Sequence, residues 1–247
     1  MTTDTQIKQH ILGHVLPQCF NAAVKAGAEI MKIYKHQEDY DISLKSDHTP
    51  ITIADRVAHN TIKEYLGPTR IPVLSEEGRE MLYNNECVAS VLYVPYHCKM
   101  YIAVKEYGSF LIRDIIPQEE PSYQSEQIEK LMERLPLESA RHEGFRVAVS
   151  RSHQTPETHA RIEQLREEHP DLEIVEQGSS YKFCLLAEGN IDYYVRTTNT
   201  YEWDTAAGEL ILAEAGGSTL SYPEGEPLRY NKADLRNPWF EARCKQQ

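Results

Sequence analysis

The 247-residue chain contains no long hydrophobic run. A membrane-spanning helix needs about 18 or more nearly uninterrupted apolar residues, and no stretch here approaches that length. Positive charge is also scarce: 26 Lys and Arg stand against 38 Asp and Glu, a formal charge of −12. That imbalance argues against a nucleic-acid backbone as partner, because such binding rests on Lys and Arg. It still admits a small anionic ligand, provided local cations or a metal ion reverse the sign at the site. Cysteines are few and odd in number. Cys19, Cys87, Cys98, Cys184 and Cys244 are scattered and without metal-ligand spacing, as expected of free thiols in a reducing cytosol. The opening MTTDTQIKQH lacks the basic start and apolar stretch of a secretory signal, so a cytoplasmic protein is expected. Internal repeats and low-complexity tracts are absent too.

What is present is alternation. The hydrophobic fraction of 40% suits a packed core, and the length suits one large domain or two closely packed ones. Leu16, Phe20, Val24, Gly27, Met31 and Tyr34 recur at helical spacing and predict a first helix. Ile42–Leu44 is strand-like. Thr52 with Asp55 three residues later reads as the start of a helix that Pro68 ends. Ile71–Leu74 reads as a short strand delivering Ser75-Glu76-Glu77-Gly78 at its end. Val88–Val94, Met100–Val104 and Ser109–Ile112, rich in Val, Ile and Tyr, predict a β-meander. The Pro/Glu/Ser-rich stretch 115–124 divides the chain into expected domains 1–114 and 125–247. Beyond it, helices are expected at 126–135, 157–168, 180–188 and 204–215. Strands are expected at 145–150, 172–177, 191–196 and 217–220, so the second half reads as α/β.

Three acidic positions stand out. Asp55 lies in the first turn of a helix, Glu76 and Glu77 sit at a strand end, and Asp204 opens a helix after Trp203. Singly, each fits a cap or a solvated turn. Together, with no His or Cys beside them, they resemble the oxygen-rich surroundings that Mg²⁺ prefers. Lys45, Lys182 and Arg196 adjoin ends of elements where an anion could sit. Gly178-Ser179-Ser180 opens a helix whose first N–H groups point outward. Carboxylates, Mg²⁺ and cations in one place support hydrolysis of a phosphate ester.

Longer motifs carry a family resemblance. Leu44-Lys45-Ser46-Asp47 through Pro50-Ile51-Thr52-x-Ala54-Asp55, and Pro72-Val73-Leu74-Ser75-Glu76-Glu77-Gly78, resemble the inositol monophosphatase-like superfamily. Gly178-Ser179-Ser180-x-Lys182-Phe183-Cys184 and Glu202-Trp203-Asp204-Thr205-Ala206-Ala207-Gly208 extend the match. Pro227-Leu228-x-Tyr230-Asn231-Lys232 and Asn237-Pro238-Trp239-Phe240 narrow it to the CysQ-type 3′(2′),5′-bisphosphate nucleotidases. The resemblance implies a layered αβαβα fold of α+β and α/β parts. It also implies Mg²⁺-dependent conversion of adenosine 3′,5′-bisphosphate to AMP and phosphate. Carried over, Glu76 and Asp204 are metal ligands, and Asp55 with Glu77 handles the attacking water. Lys182 and Arg196 meet substrate phosphate, and Lys45 is counted with the substrate-binding residues. Gly178, Ser179 and Ser180 line the nucleotide pocket, bordered by the loop that begins at Ser150.

One family motif is missing. Relatives follow the Ser-Glu-Glu strand with Trp-x-Val-Asp-Pro-Leu-Asp-Gly-Thr and a further strand, whereas this chain passes from Glu77 through Gly78–Cys87 straight into Val88. The motif supplies a bridging Asp, a second Asp and the Thr and Gly that cradle the scissile phosphate. Without it, weak or single-ion Mg²⁺ occupancy and impaired turnover are expected. The first sheet is expected to carry an internal deletion, with an uncovered edge open to self-association. Three alternatives stand beside this reading. Glu80 or Glu86 could replace the lost ligands, the chain could be an inactive nucleotide binder or a non-functional truncated variant, or its substrate could be inositol monophosphate.

Overall fold

The computed structural model describes residues 9–35, 43–44, 50–51, 53–69, 87–140, 142–150 and 154–245. Lys45, Glu76, Glu77, Glu80, Glu86 and the strand expected at Ile71–Leu74 lie outside the described residues. The chain divides into two compact units, one of residues 1–83, 91–100 and 111–132, the other of 84–90, 101–110 and 133–247.

In the first unit a π-helical turn, Ile11–Val15, runs into helix α1, Leu16–Lys35. Of the residues at the expected spacing, Leu16, Phe20, Val24 and Gly27 are buried, Met31 is half-buried, and Tyr34, near the end of the helix, is exposed. At Gly27 a side chain would collide with the ring of Tyr93, so the bare backbone is what admits that ring. Helix α2, Ile53–Leu66, packs against α1 and carries Asp55, exposed, in its first turn. A two-residue ladder pairs β1, Ser43–Leu44, with β2, Pro50–Ile51. Residues 115–124 have the composition of a linker, yet they are tied to α1. Asn21 and the Tyr123 backbone exchange two hydrogen bonds of 2.9 Å, Lys32 pairs with Glu119 at 2.7 Å, and Ile115 is buried. Composition reports solvation and says nothing of such side-chain anchors.

The expected meander is present as β3, Ala89–Val94, β4, Lys99–Val104, and β5, Gly108–Ile112. A fourth strand, β6, Glu133–Arg134, completes the order β3-β4-β5-β6. It corrects the helix expected over 126–135. Helix α3, Ser125–Leu131, stops early, and Met132 turns extended at φ −70°, ψ 119°. Pro136 disfavours helical backbone at Leu135, whose N–H is instead held by the Ser109 carbonyl at 2.9 Å. Among the described residues β3 has a neighbour on one side only.

The second unit is organised by a five-stranded sheet. Its strands are β7, Arg146–Val149, β8, Glu173–Glu176, β9, Tyr193–Arg196, β10, Ser218–Ser221, and β11, Phe240–Arg243. They run in the order β10-β11-β9-β7-β8, with β7 parallel to both β8 and β9 and β11 antiparallel to β9 and β10. Strand β11 has no counterpart among the expected elements. Its signal is the alternation of buried Phe240 and Ala242 with half-buried Glu241 and Arg243. Strand β8, Glu-Ile-Val-Glu, protects its edge with charge. Helix α4, Pro156–Glu168, covers one face through Ile162 and Leu165, which join Val147, Val149, Tyr193 and Val195 in one apolar cluster. Helices α5, Tyr181–Glu188, and α6, Glu202–Glu214, pack against each other. They meet at Gly208, where an added Cβ would come within 2.7 Å of the buried Phe183 ring.

Candidate functional site

The two-residue period of β9 builds the site. Tyr193 and Val195 face α4, so Tyr194 and Arg196 must face the other way. Tyr194, Phe183 and Phe240 form a buried aromatic floor, with ring centroids 5.4 to 5.8 Å apart. Ser150 follows the last residue of β7, Gly178 follows β8 by two residues, and Arg196 ends β9. All three sit at carboxyl ends of parallel strands, where open α/β sheets place their ligands. They open on a cavity of about 290 Å³, lined also by Ser179, Ser180, Lys182, Thr200, Trp203 and Asp204.

Several donors and acceptors in this cavity have fixed places. The hydroxyls of Ser179 and Ser180 stand 3.4 Å apart, and Ser179 occupies left-handed backbone at φ +61°. Lys182 is buried and donates to the carbonyls of Gln177 and Ser179. Burial, with the positive Arg196 nearby, lowers its ammonium to about 8. Two other donors are unsatisfied. Arg196 Nε and Trp203 Nε1 are buried with no hydrogen-bond partner among the described residues. Orphaned buried donors are costly in a folded protein, and a ligand bearing acceptors would relieve them. Trp203 is further fixed by stacking on Tyr201, at 4.7 Å and 7° between planes.

Asp204 is not the first residue of its helix, as the sequence suggests. Helix α6 starts at Glu202, and Asp204 reaches back to accept the Tyr201 N–H at 2.7 Å. The start of α6 is held by the tail of the chain. Glu202, fully buried, accepts from Asn231 N at 2.6 Å, Lys232 N at 3.1 Å and Lys232 Nζ at 2.6 Å. Asn237 Nδ2 donates to the Tyr201 carbonyl at 2.8 Å and the Thr205 hydroxyl at 3.0 Å. The Tyr230-Asn231-Lys232 and Asn237 motifs therefore fasten the helix end that presents Trp203 and Asp204.

Of the residues singled out by sequence, Ser150, Gly178, Ser179, Ser180, Lys182, Arg196 and Asp204 meet at this cavity. Asp55 belongs to the first unit, and Lys45, Glu76 and Glu77 lie outside the described residues. Thr200, Tyr194 and Phe240 were not anticipated as lining. Alternation along β9 was the available signal for Tyr194. Thr200 joins the site through a bond from Asn237 N, 37 residues away, which no local pattern reports. Among the described residues no group of three or more His, Cys, Asp or Glu side chains could hold a metal ion.

Comparison with known proteins places these features in context. The model of the inositol monophosphatase family matches residues 81–239. The 3′(2′),5′-bisphosphate nucleotidase CysQ of Escherichia coli K12 is 30% identical over 92% of this chain and 98% of its own. That alignment runs over 264 positions, more than the 247 residues here, so the relative has positions without counterpart in this chain. Among solved structures, CysQ of Bacteroides thetaiotaomicron, a bacterial member of the family, superposes with a TM-score of 0.79 at 36% identity. It covers 93% of this chain and 97% of that one. The suhB protein of Bartonella henselae, at 20% identity and a TM-score of 0.68, shares the fold.

Proposed function

This chain belongs to the inositol monophosphatase family, with a CysQ-type sequence and fold, and we propose that it binds a nucleoside bisphosphate and hydrolyses it only weakly. The observation that carries the binding half is the pair of unsatisfied donors, Arg196 Nε and Trp203 Nε1, above an aromatic floor. Acceptor-rich phosphate oxygens suit the donors, and a purine suits the aromatic surroundings better than a polyol ring does. Adenosine 3′,5′-bisphosphate is therefore favoured over inositol monophosphate. The weak-turnover half rests on the sequence, which has no Asp-Pro-Leu-Asp-Gly-Thr, and on Asp204 being the single carboxylate among the described residues that lines the cavity. In this reading Asp204 holds at most one Mg²⁺ loosely, with Glu76 as its expected companion and water in the other positions.

Titration calorimetry checks the binding. Adenosine 3′,5′-bisphosphate is expected to bind at least about tenfold more tightly than adenosine, a difference of about 1.4 kcal/mol carried by the phosphates. Equal affinity for both would remove the anion site from the proposal. The uncharged strand β3, Ala-Ser-Val-Leu-Tyr-Val, with one neighbour among the described residues, supports self-association as part of the same reading. Sedimentation velocity at tens of micromolar should then show a dimer or larger species, and a clean monomer would dismiss that partner.

A further inference from the structure

The candidate site lies at the carboxyl ends of the parallel strands. A larger cavity, of about 890 Å³, lies at the opposite end of the same sheet, where Phe145 precedes β7, Asp192 precedes β9 and Arg243 ends the antiparallel β11. Every residue lining it belongs to the second unit. Pockets that hold small organic ligands span about 300–1,000 Å³. Pro136, Leu137 and Phe145 give this one an apolar wall, and the Phe145 ring is held by stacking on His169, at 3.7 Å and 6° between planes. Asp192 organises the other wall. Its carboxylate accepts the Arg146 N–H at 2.7 Å, lies 3.6 Å from the His142 ring and receives the Cys244 thiol at 3.7 Å. Donors of its own wall thus meet this negative charge. Arg243 and Lys245, on either side of Cys244, both line the cavity. The Arg243 side chain is 41% exposed, and one of its five N–H donors reaches Glu241 at 3.1 Å. Glu241 is shared with Arg161 and the Tyr193 hydroxyl, so it is not a counter-ion to Arg243 alone. The Lys245 stem covers Gly216, where an added Cβ would come within 3.0 Å of it, and the residue is exposed. In a chain of formal charge −12, two accessible cations beside an apolar wall fit an anion with an apolar body. Glu138, also in the lining, opposes such a ligand.

We infer that this cavity is a second binding site, for a small organic anion: the anionic group meets Arg243 and Lys245, and the apolar or aromatic body lies along Pro136, Leu137 and Phe145. The inference goes beyond the nucleotide-binding reading and does not depend on it.

Fluorescence titration of the full chain with anilinonaphthalene sulfonate, an anionic group on an aromatic body, tests it. The probe is expected to bind the parent protein. Arg243→Gln combined with Lys245→Gln is expected to weaken that binding about tenfold or more, as loss of charge-assisted hydrogen bonds does. Glu138→Gln, which removes the opposing charge, is expected to tighten it by a factor of about two. Unchanged affinity in the double variant overturns the inference, and so does an absence of binding at about 1 mM probe. Should the double variant not fold, Lys245→Gln alone, at an exposed position, takes its place; a loss of about twofold or more supports the site and unchanged affinity overturns it. Saturating adenosine 3′,5′-bisphosphate is expected to leave the probe bound, because the two cavities lie at opposite ends of the sheet. Displacement by it would put the probe in the first cavity and overturn the second site. Should the bisphosphate itself not bind, the functional reading fails, and the variants alone decide the second site.

Discussion

Phosphate release from adenosine 3′,5′-bisphosphate with saturating Mg²⁺ is expected to run about a thousandfold or more slower than for the CysQ of Bacteroides thetaiotaomicron. The magnitude follows from what the chain lacks. Removing one preorganised group that stabilises developing charge commonly costs about a hundredfold to a thousandfold in rate. Here the resemblance implies the loss of two aspartates and a phosphate-cradling Thr-Gly together, since no Asp-Pro-Leu-Asp-Gly-Thr stands between Glu77 and Val88. A two-metal displacement needs a carboxylate that holds the ions about 3.5–4 Å apart, and Asp204 already spends one carboxylate oxygen on the Tyr201 N–H. Steady-state phosphate release at varied substrate checks the expectation. Binding without measurable turnover would support it. A rate within tenfold of the relative's, abolished by Asp204→Asn, would show that other side chains have replaced the lost ligands.

The second large effect concerns stability. Lys232→Met is expected to destabilise the fold by about 3 kcal/mol, the scale for breaking a buried ion pair by removing one partner. Glu202 is fully buried, and the Lys232 ammonium at 2.6 Å is its cationic partner among the described residues. Two backbone N–H donors, from Asn231 and Lys232, would remain on the carboxylate, which keeps the cost from rising further. For a chain of this length the loss corresponds to about 6–12 °C in Tm. Adding Glu202→Gln to Lys232→Met should recover part of it, because the uncompensated charge goes with the carboxylate. Thermal melts of the two single variants and the double variant give the coupling. A Lys232→Met protein within about 1 kcal/mol of the parent would show that the pair does not hold the tail to α6.

The two effects are separable. The first concerns the groups that carry the chemistry. The second loosens the helix start that presents Trp203 and Asp204, so it should weaken nucleotide binding even where phosphate is absent from the ligand.

Much of this was legible from local pattern. Helical spacing marked α1, because one buried face imposes a 3.6-residue period on its side chains. The Val, Ile and Tyr runs marked β3 to β5, and strand-helix alternation marked the second unit. Seven of the residues named from motifs and element ends meet at one cavity because the carboxyl ends of parallel strands converge there. Where local pattern misled, a distant residue had intervened. The helix expected to 135 yields to β6 once Ser109 captures the Leu135 N–H. Strand β11 forms because β9 and β10 leave a slot between them, and four residues at the end of a tail do not announce that slot.

The sequence by itself determined the family, the acidic surface, the kinds of side chain available for a phosphate ester and the absence of the central aspartate motif. These are properties of residue identity and order. Only the tertiary structure decided which of those side chains share a cavity, that Glu202 and Lys232 clamp the start of α6, and that Lys182 turns its charge inward to two carbonyls. The physical reason is that a hydrogen bond or an ion pair depends on distance and burial, and neither is a property of the residue that makes it.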